Sequence, residues 1–245
     1  RADDLYLLFN TSGSGVNGRG SHGHNDALSI EVSACGSAFI VDPGAYVYTA
    51  DLKARHLFRS VAYHSTVQVD GVEQNTTEEK APFIIGNEAA PRVIGWKSGP
   101  ETDLVIAEHT GYQRLPHPLT NRRTVRFEKR QRFWKVEDEL LGEGEHEFCF
   151  RFHFAPGLQT EVRSDGMIEV CDKMSGARLL IVASGISVQA ALEARFSSRD
   201  YGARAPSVSV CWAVQTAAPF SAQFTLVPIR ADEDEDVRLQ LLKDI

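Results

Sequence analysis

The sequence predicts an all-β protein, a large antiparallel β-sandwich folded as a single domain over residues 1–245. Three observations carry this expectation. Apolar and polar residues alternate with period two along most of the chain, as they do on strands with one buried face. Asp70-Gly71, Glu143-Gly144, Asp165-Gly166 and Ser175-Gly176 punctuate those runs as hairpin or short-loop turns. Helical periodicity is nearly absent until the chain's last stretch.

Taken in order, strands are expected at 5–9, 27–33, 37–41 and 65–69, then at 104–109, 122–128, 133–141 and 147–154. The series ends with 166–170, 178–184, 187–193, 207–216 and 221–228. The apolar run Ala38-Phe39-Ile40-Val41 ends at Asp42, and Pro43-Gly44 then turns the chain. Residues 122–129 and 131–141 read as one long hairpin closing at Lys129-Arg130. Phe148, Phe150, Phe152 and Phe154 put an aromatic ring at every second position, so one face of that strand is deeply buried. Asp232 to Asp236, followed by Val237, Leu239, Leu241 and Leu242, reads either as a short helix with acids at its positive end or as a solvated acidic tail. Many strands at this turn spacing indicate a sandwich, and the lack of a fixed-period repeat argues against a propeller or solenoid.

A chain of this length buries a full core. Hydrophobic residues make up 42% and charged residues 24% of it, as in an ordinary globular protein. The formal net charge of −7 argues against broad nucleic-acid binding, which depends on Lys and Arg at phosphates. It leaves room for a local basic groove facing an anionic sugar. No apolar run approaches the length of about 18 residues that a membrane span requires. The chain opens Arg1-Ala2-Asp3 with no initiator Met or signal peptide, which reads as a processed or truncated product. Cys35, Cys149, Cys171 and Cys211 form no Cys-x-x-Cys pair, so a thiolate zinc site is not expected. Cys149 and Cys211 lie in apolar alternating runs and read as buried core thiols.

Chemistry concentrates in residues 10–74. The glycine-rich segment 10–20 lets the backbone approach a ligand, but it lacks the grammar of a phosphate loop. Its expected function is to deliver His22 and His24 to the sandwich edge. In His22-Gly23-His24, residues i and i+2 of an extended segment point the same way, so both imidazoles can face one pocket. Asp42 ends its run either as a turn cap or as a ligand. His64, in Ala62-Tyr63-His64-Ser65-Thr66, sits where an unliganded imidazole needs some other partner. His24, Asp42 and His64 together make an N/N/O set for a divalent metal, with His22 beside it.

The segments Gly23-His24-Asn25-Asp26-Ala27-Leu28-Ser29, Asp42-Pro43-Gly44-Ala45-Tyr46-Val47-Tyr48, Phe58-Arg59-Ser60 through His64, and Val69-Asp70-Gly71 with Gln74 resemble the heparinase II/III family. Order, spacing and flanking residues agree from Asn10 to Gln74, and the likeness is looser beyond, Tyr201-Gly202 included. Members of that family are polysaccharide lyases acting on uronic-acid glycans such as heparan sulfate, heparin or alginate. They pair an N-terminal α/α toroid with a C-terminal β-sandwich, and the active site lies between the two. The resemblance implies that this chain matches the C-terminal half, the toroid being absent, with a structural Zn2+ held by His24, Asp42 and His64. It further implies His22 in the catalytic cleft, Tyr46 as a substrate-cleft tyrosine and Arg59 as the family's arginine. An acidic polysaccharide substrate, the missing toroid as partner, no nucleic acid, and a bacterial periplasmic or secreted location follow from it; a homodimer is compatible. Ser65 departs from the Asn that many relatives carry, which leaves its supporting role open.

β-Elimination explains these residue types. Donors at the uronate carboxylate stabilise the enolate that forms when the C5 proton leaves. A Tyr or His then acts as base, and a Tyr can protonate the leaving oxygen. In the family the principal base comes from the toroid, so this chain alone is expected to be silent. The plainer alternatives are that Tyr46 and Tyr48 only pack, and that Arg59 caps a turn or pairs with Asp51. His56, His109, His117, His146 and His153 show no convergent spacing, and His153 reads as a satisfied core histidine. The rival functions are a non-catalytic carbohydrate-binding or scaffold sandwich, and a hydrolase using metal-bound water.

Overall fold

The computed structural model describes residues 1–15 and 20–243. Strands β1 (Leu5–Phe9), β2 (Ile30–Ala34) and β3 (Ser37–Ile40) form a three-stranded sheet in that order. A short helix α1 (Leu52–Phe58), a 3-10 turn at Val61–Tyr63 and strand β4 (Val67–Val69) follow. β5 (Thr77–Glu78) and β6 (Ala81–Ile85) pair as a small hairpin. The middle of the chain supplies β7 (Arg92–Ser98), β8 (Thr102–His109), β9 (Leu119–Glu128), β10 (Phe133–Gly142) and β11 (Glu145–His153). The remainder gives β12 (Gln159–Val162), β13 (Ile168–Cys171), β14 (Arg178–Ser184), β15 (Ala191–Ser197), β16 (Ala205–Ala217), β17 (Phe220–Ile229) and helix α2 (Glu235–Lys243).

One layer is an eight-stranded antiparallel sheet ordered β12-β13-β14-β17-β10-β9-β8-β7, and the facing layer is ordered β15-β16-β11-β4. This is the expected β-sandwich. The alternating phenylalanines of β11 fill the space between the layers. Phe148 stacks on Phe220 with centroids 5.7 Å apart, and Phe152 meets Phe224 edge-on at 5.1 Å. Full burial of such a ring contributes on the order of 2–3 kcal/mol. Cys149 and Cys211 are buried and unpaired by disulfide. Among the described residues, no helix is long and apolar enough to cross a membrane.

The three-stranded sheet is grafted onto the end of β11. Ile40 bridges Phe154, the Val41 N–H donates to the His153 carbonyl at 3.0 Å, and the Ala155 N–H donates to that of Phe39 at 3.0 Å. The carboxyl end of β3, and with it Asp42, is therefore fixed beside His153. Arg123, on β9, anchors the neighbouring loops from inside the protein. Its guanidinium grips Asp138 with two bonds of 2.8 Å and donates to the Leu28 and Ser65 carbonyls at 2.8 and 2.7 Å.

The structure departs from expectation in four places. Residues 27–29 precede β2 without joining it, because side chains capture their backbone: Gln74 and Thr66 bond to Ala27, and Leu28 has φ +61. The long hairpin closes through 129–132 rather than at Lys129-Arg130, with Arg132 at φ +57. The strand expected at 187–193 is β15, displaced toward the C-terminus. Of the two readings of the acidic tail, the helix is the one found, starting at Glu235: the Val237 N–H donates to Asp234 Oδ1, and Glu235 pairs with Arg163 and Arg178. Helix α1 and strands β5, β6, β7 and β12 were not anticipated from the pattern of the sequence.

A candidate metal centre and its adjoining cleft

His24 is delivered by a turn that tolerates only small residues at its start. A Cβ on Gly20 would sit 2.0 Å from Ile85 Cγ2 of β6. Asn25, fully buried, then locks the segment: its N–H donates to the Arg59 carbonyl at 2.9 Å, and its Oδ1 accepts from the Asn75 N–H at 2.8 Å. Asp42 follows β3, and its Oδ1 accepts from the Gly44 N–H at 2.7 Å, which turns Oδ2 away from the backbone. His64 ends the 3-10 turn and is 1% exposed. Its Nδ1–H donates to the Ser60 carbonyl at 2.7 Å, so Nε2 is the ring nitrogen turned toward the other two residues.

These three side chains converge. His24 Nδ1 lies 3.2 Å from His64 Nε2, which lies 3.3 Å from Asp42 Oδ2, and one ligand atom of each residue falls within 4.8 Å of the others. Tetrahedral zinc with bonds of about 2.0–2.1 Å places neighbouring ligand atoms about 3.3 Å apart, so the spacing suits such an ion. Without an ion the trio holds itself together by charge, and binding a metal must first displace a proton from it. Burial, then the neighbouring His64 charge, holds the His24 imidazole down to about 3. Burial alone would lower His64, but the hydrogen bond and charge of Asp42 prevail and push it up to about 9. Burial works against the Asp42 carboxylate in turn, and the bond to His64 and its charge bring it below the usual range.

The donor set therefore fits a divalent cation, with one contact opposed. Arg55, from α1, places Nη1 2.9 Å from His24 Nε2. A guanidinium only donates, so Nε2 must accept there, and the ring's one proton then sits on Nδ1, inside the cluster. Coordination through Nδ1 instead requires the proton on Nε2, facing another donor. Metal binding and the Arg55 contact exclude one another.

The resemblance singled out His22, Tyr46 and Arg59 for catalysis. They do not share one pocket. His22 is exposed and lines a polar cavity of about 350 Å³ together with His24, Asp26, Glu31 and Asp42. Tyr46 and Arg59 are not among the described residues around it. Tyr46, at φ +56, turns its ring onto Phe58 at 5.3 Å, and the Arg204 guanidinium covers it at 5.0 Å. Arg59 is 1% exposed and donates to the Pro82 and Ile84 carbonyls at 2.8 and 2.6 Å, so it holds β6 instead of facing the cleft. Asp51, the surface partner considered for it, caps α1 by accepting from the Ala54 N–H.

Tyr48, rather than Tyr46, packs against His22, with its ring 5.1 Å from that imidazole and the Arg55 guanidinium 5.2 Å above it. Phe83 of β6 completes the group at 5.8 Å from His22. Tyr48 stood in the motif but carried no signal separating it from Tyr46. Arg55 and Arg123 carried none. Ser65 supports β11 rather than the ligands: its Oγ accepts from the His153 N–H at 3.0 Å. His153 itself is buried against Ser207, and His146 bonds Asp70, so neither joins the cluster.

The family model described as "Heparinase II/III-like, C-terminal" matches residues 1–236. No curated protein matches the chain. Among solved structures, heparan sulfate lyase HepC from Pedobacter heparinus is similar with a TM-score of 0.72 and 17% identity, over 93% of this chain and 33% of that one. A structure of heparinase III gives 0.76 and 18%, over 95% and 34%. A second heparinase III, the BT4657 gene product, gives 0.75 and 17%, over 91% and 33%. At such identities the likeness establishes the fold, and this chain spans about a third of those chains' length.

Proposed function

The chain belongs to the heparinase II/III-like C-terminal family, and on that premise we propose that it forms one wall of the active site of a polysaccharide lyase. The substrate is a uronic-acid glycan, heparin- or heparan sulfate-like or alginate-like, cleaved by β-elimination in a periplasmic or secreted setting. The observation that carries this reading is the polar cavity in which exposed His22 adjoins the His24–Asp42–His64 cluster.

Within that cavity His22 holds or takes a proton at the sugar, and Tyr48, packed against it, supplies the phenol for the leaving oxygen. This assigns to Tyr48 the part that the resemblance gave Tyr46. Arg59 acts by position: its bonds to Pro82 and Ile84 fix β6, and β6 carries Phe83 against His22. Zn2+ held by His24, Asp42 and His64 supplies a structural staple between the 20–26 segment, the end of β3 and the 3-10 turn. The principal base belongs to the rest of the longer protein, so the isolated chain is silent.

The test is formation of unsaturated uronate by the longer protein on heparan sulfate, heparin and alginate in parallel, followed by absorbance. His22→Ala is expected to cut turnover by at least about a hundredfold, the usual worth of a positioned proton donor or acceptor, with zinc retained. No unsaturated product from any of the three glycans overturns the lyase reading. The non-catalytic carbohydrate-binding or scaffold alternative gains from the burial of Arg59, and would show as glycan binding without turnover.

A further inference from the structure

We propose that Tyr201 is the platform of a glycan-stacking subsite, receiving the apolar face of a pyranose ring beside the residue processed at His22, with Arg204 facing that glycan's anionic group. The proposal deepens the lyase reading and rests on it. Tyr201 stands at the tip of the turn after β15 and is 64% exposed. Its ring lies 5.5 Å from that of Tyr48, which lies 5.1 Å from His22, so the three rings form a continuous row out of the cavity.

The turn is held tightly. The Ser198 N–H donates to the Pro43 carbonyl at 2.7 Å, and the Gly202 N–H donates to the Tyr46 carbonyl at 2.8 Å. The Ser198 hydroxyl and the Ala203 N–H both donate to the Asp200 carbonyl, at 3.0 and 3.1 Å. The approach to the segment after Asp42 is so close that a Cβ on Gly44, at φ +78, would lie 1.9 Å from the Ser198 carbonyl oxygen. A large ring fixed in place yet left in water gains little from folding. Such a ring is suited to binding, because little freedom is lost when a ligand covers it. The C–H bonds on one face of a pyranose are apolar and slightly positive, which matches the negative face of a phenol ring.

Charge selects the glycan class. Arg204 is exposed, with its guanidinium 4.3 Å from the Phe196 ring and 5.0 Å from that of Tyr46. Arg199 is exposed on the same turn, and Asp200 is the one acid between the two arginines. This local excess of positive charge, on a chain of net charge −7, complements sulfate or carboxylate groups.

Calorimetric titration of this chain with a heparan sulfate hexasaccharide, an alginate hexasaccharide and neutral chitohexaose tests the proposal. Tyr201→Ala is expected to weaken binding of an acidic hexasaccharide about tenfold, a change of about 1.4 kcal/mol, and to leave the melting temperature unchanged. Tyr201→Phe and Tyr201→Trp keep the ring and are expected to stay within about threefold of wild type. Arg204→Ala is expected to weaken acidic glycans and spare chitohexaose. Wild-type affinity in Tyr201→Ala, an equal loss in Tyr201→Phe, or no binding of any probe by the wild-type chain overturns the platform. Binding of acidic glycans without dependence on Tyr201 sinks the platform and leaves the lyase reading standing. Tyr201-dependent binding of chitohexaose alone does the reverse.

Discussion

Replacing Arg55 with glutamine should tighten zinc binding. In the metal-free chain Arg55 Nη1 donates to His24 Nε2 at 2.9 Å, and the guanidinium is fully buried. A metal on Nδ1 moves the ring proton to Nε2, so this bond must be given up before the ion is held. A hydrogen bond from a charged donor contributes about 1.5–3 kcal/mol. Removing it from the metal-free state should therefore raise zinc affinity about 10- to 100-fold, at about 1.4 kcal/mol per tenfold. The glutamine carbonyl can also accept the Nε2–H, the support that metal-bound imidazoles usually have. Arg55→Lys keeps both charge and donors and should gain nothing. Competition against a chromogenic zinc chelator at fixed pH reads all three proteins. With excess chelator, Arg55→Gln should melt below wild type, since the bond to His24 and that to the Pro82 carbonyl are both lost. If glutamine binds zinc no tighter than arginine, or lysine matches glutamine, the reasoning about the His24 tautomer is wrong.

His24→Ala should lose zinc to background and lose the zinc-dependent rise in melting temperature, because metal held by the folded state adds to its stability. Unchanged metal content would remove His24 from the ligand set. His109 gives a pH dependence of known sign. Burial, then the charges of Arg123 and Arg114, holds its imidazole down to about 3, and its Nδ1 accepts the Gly111 N–H. The unfolded chain takes the proton first as pH falls. This contribution is therefore complete above about pH 6.5 and is lost toward pH 3 at roughly 1.4 kcal/mol per unit. His109→Asn keeps an acceptor for Gly111 without the titration, so urea unfolding should show a flatter slope between about pH 6 and 4; an unaltered slope refutes the assignment. Arg123→Met leaves Asp138 buried without its partner and should cost about 3–5 kcal/mol in urea. A loss below about 1 kcal/mol would mean that the pair does not support the site loops.

The sandwich was legible where a strand buries one face and shows the other to solvent. Residues 5–9 alternate in exposure and form β1 with those bounds, whereas residues 178–184 form β14 as expected but as an apolar run with Leu179, Leu180 and Ile181 all buried. β7 carries no such signal, because Val93, Ile94 and Trp96 are all exposed on an edge strand, Trp96 by 72%. Helix α1 is too short for periodicity to register, and two of its inward residues are Ala54 and Arg55. An arginine facing inward contradicts the pattern by which helices are recognised. What holds α1 is the Asp51 cap and the Pro82 carbonyl, and the latter lies well outside any local window.

The same distinction divides the site. Asp42 and His64 come together because each stands just past the end of an element, which fixes where its side chain can reach, while His24 lies in a loop pinned by the bonds of Asn25. Tyr46 and Arg59 came from motif positions in the resemblance, and a motif position does not determine where a side chain turns. A positive φ at Tyr46 rotates its ring onto Phe58, and the carbonyls of Pro82 and Ile84 draw Arg59 inward. Tyr201 reaches the row through the bonds from Ser198 to Pro43 and from Gly202 to Tyr46, which close a separation of about 155 residues. No spacing rule carries information across such a closure. Each of these positions is set by a carbonyl or amide supplied from elsewhere in the fold. A substitution at such a contact, such as Gly44→Ala pushing against the Ser198 carbonyl, should therefore disturb the Tyr201 row and, because the Gly44 N–H orients Asp42, weaken metal binding with it.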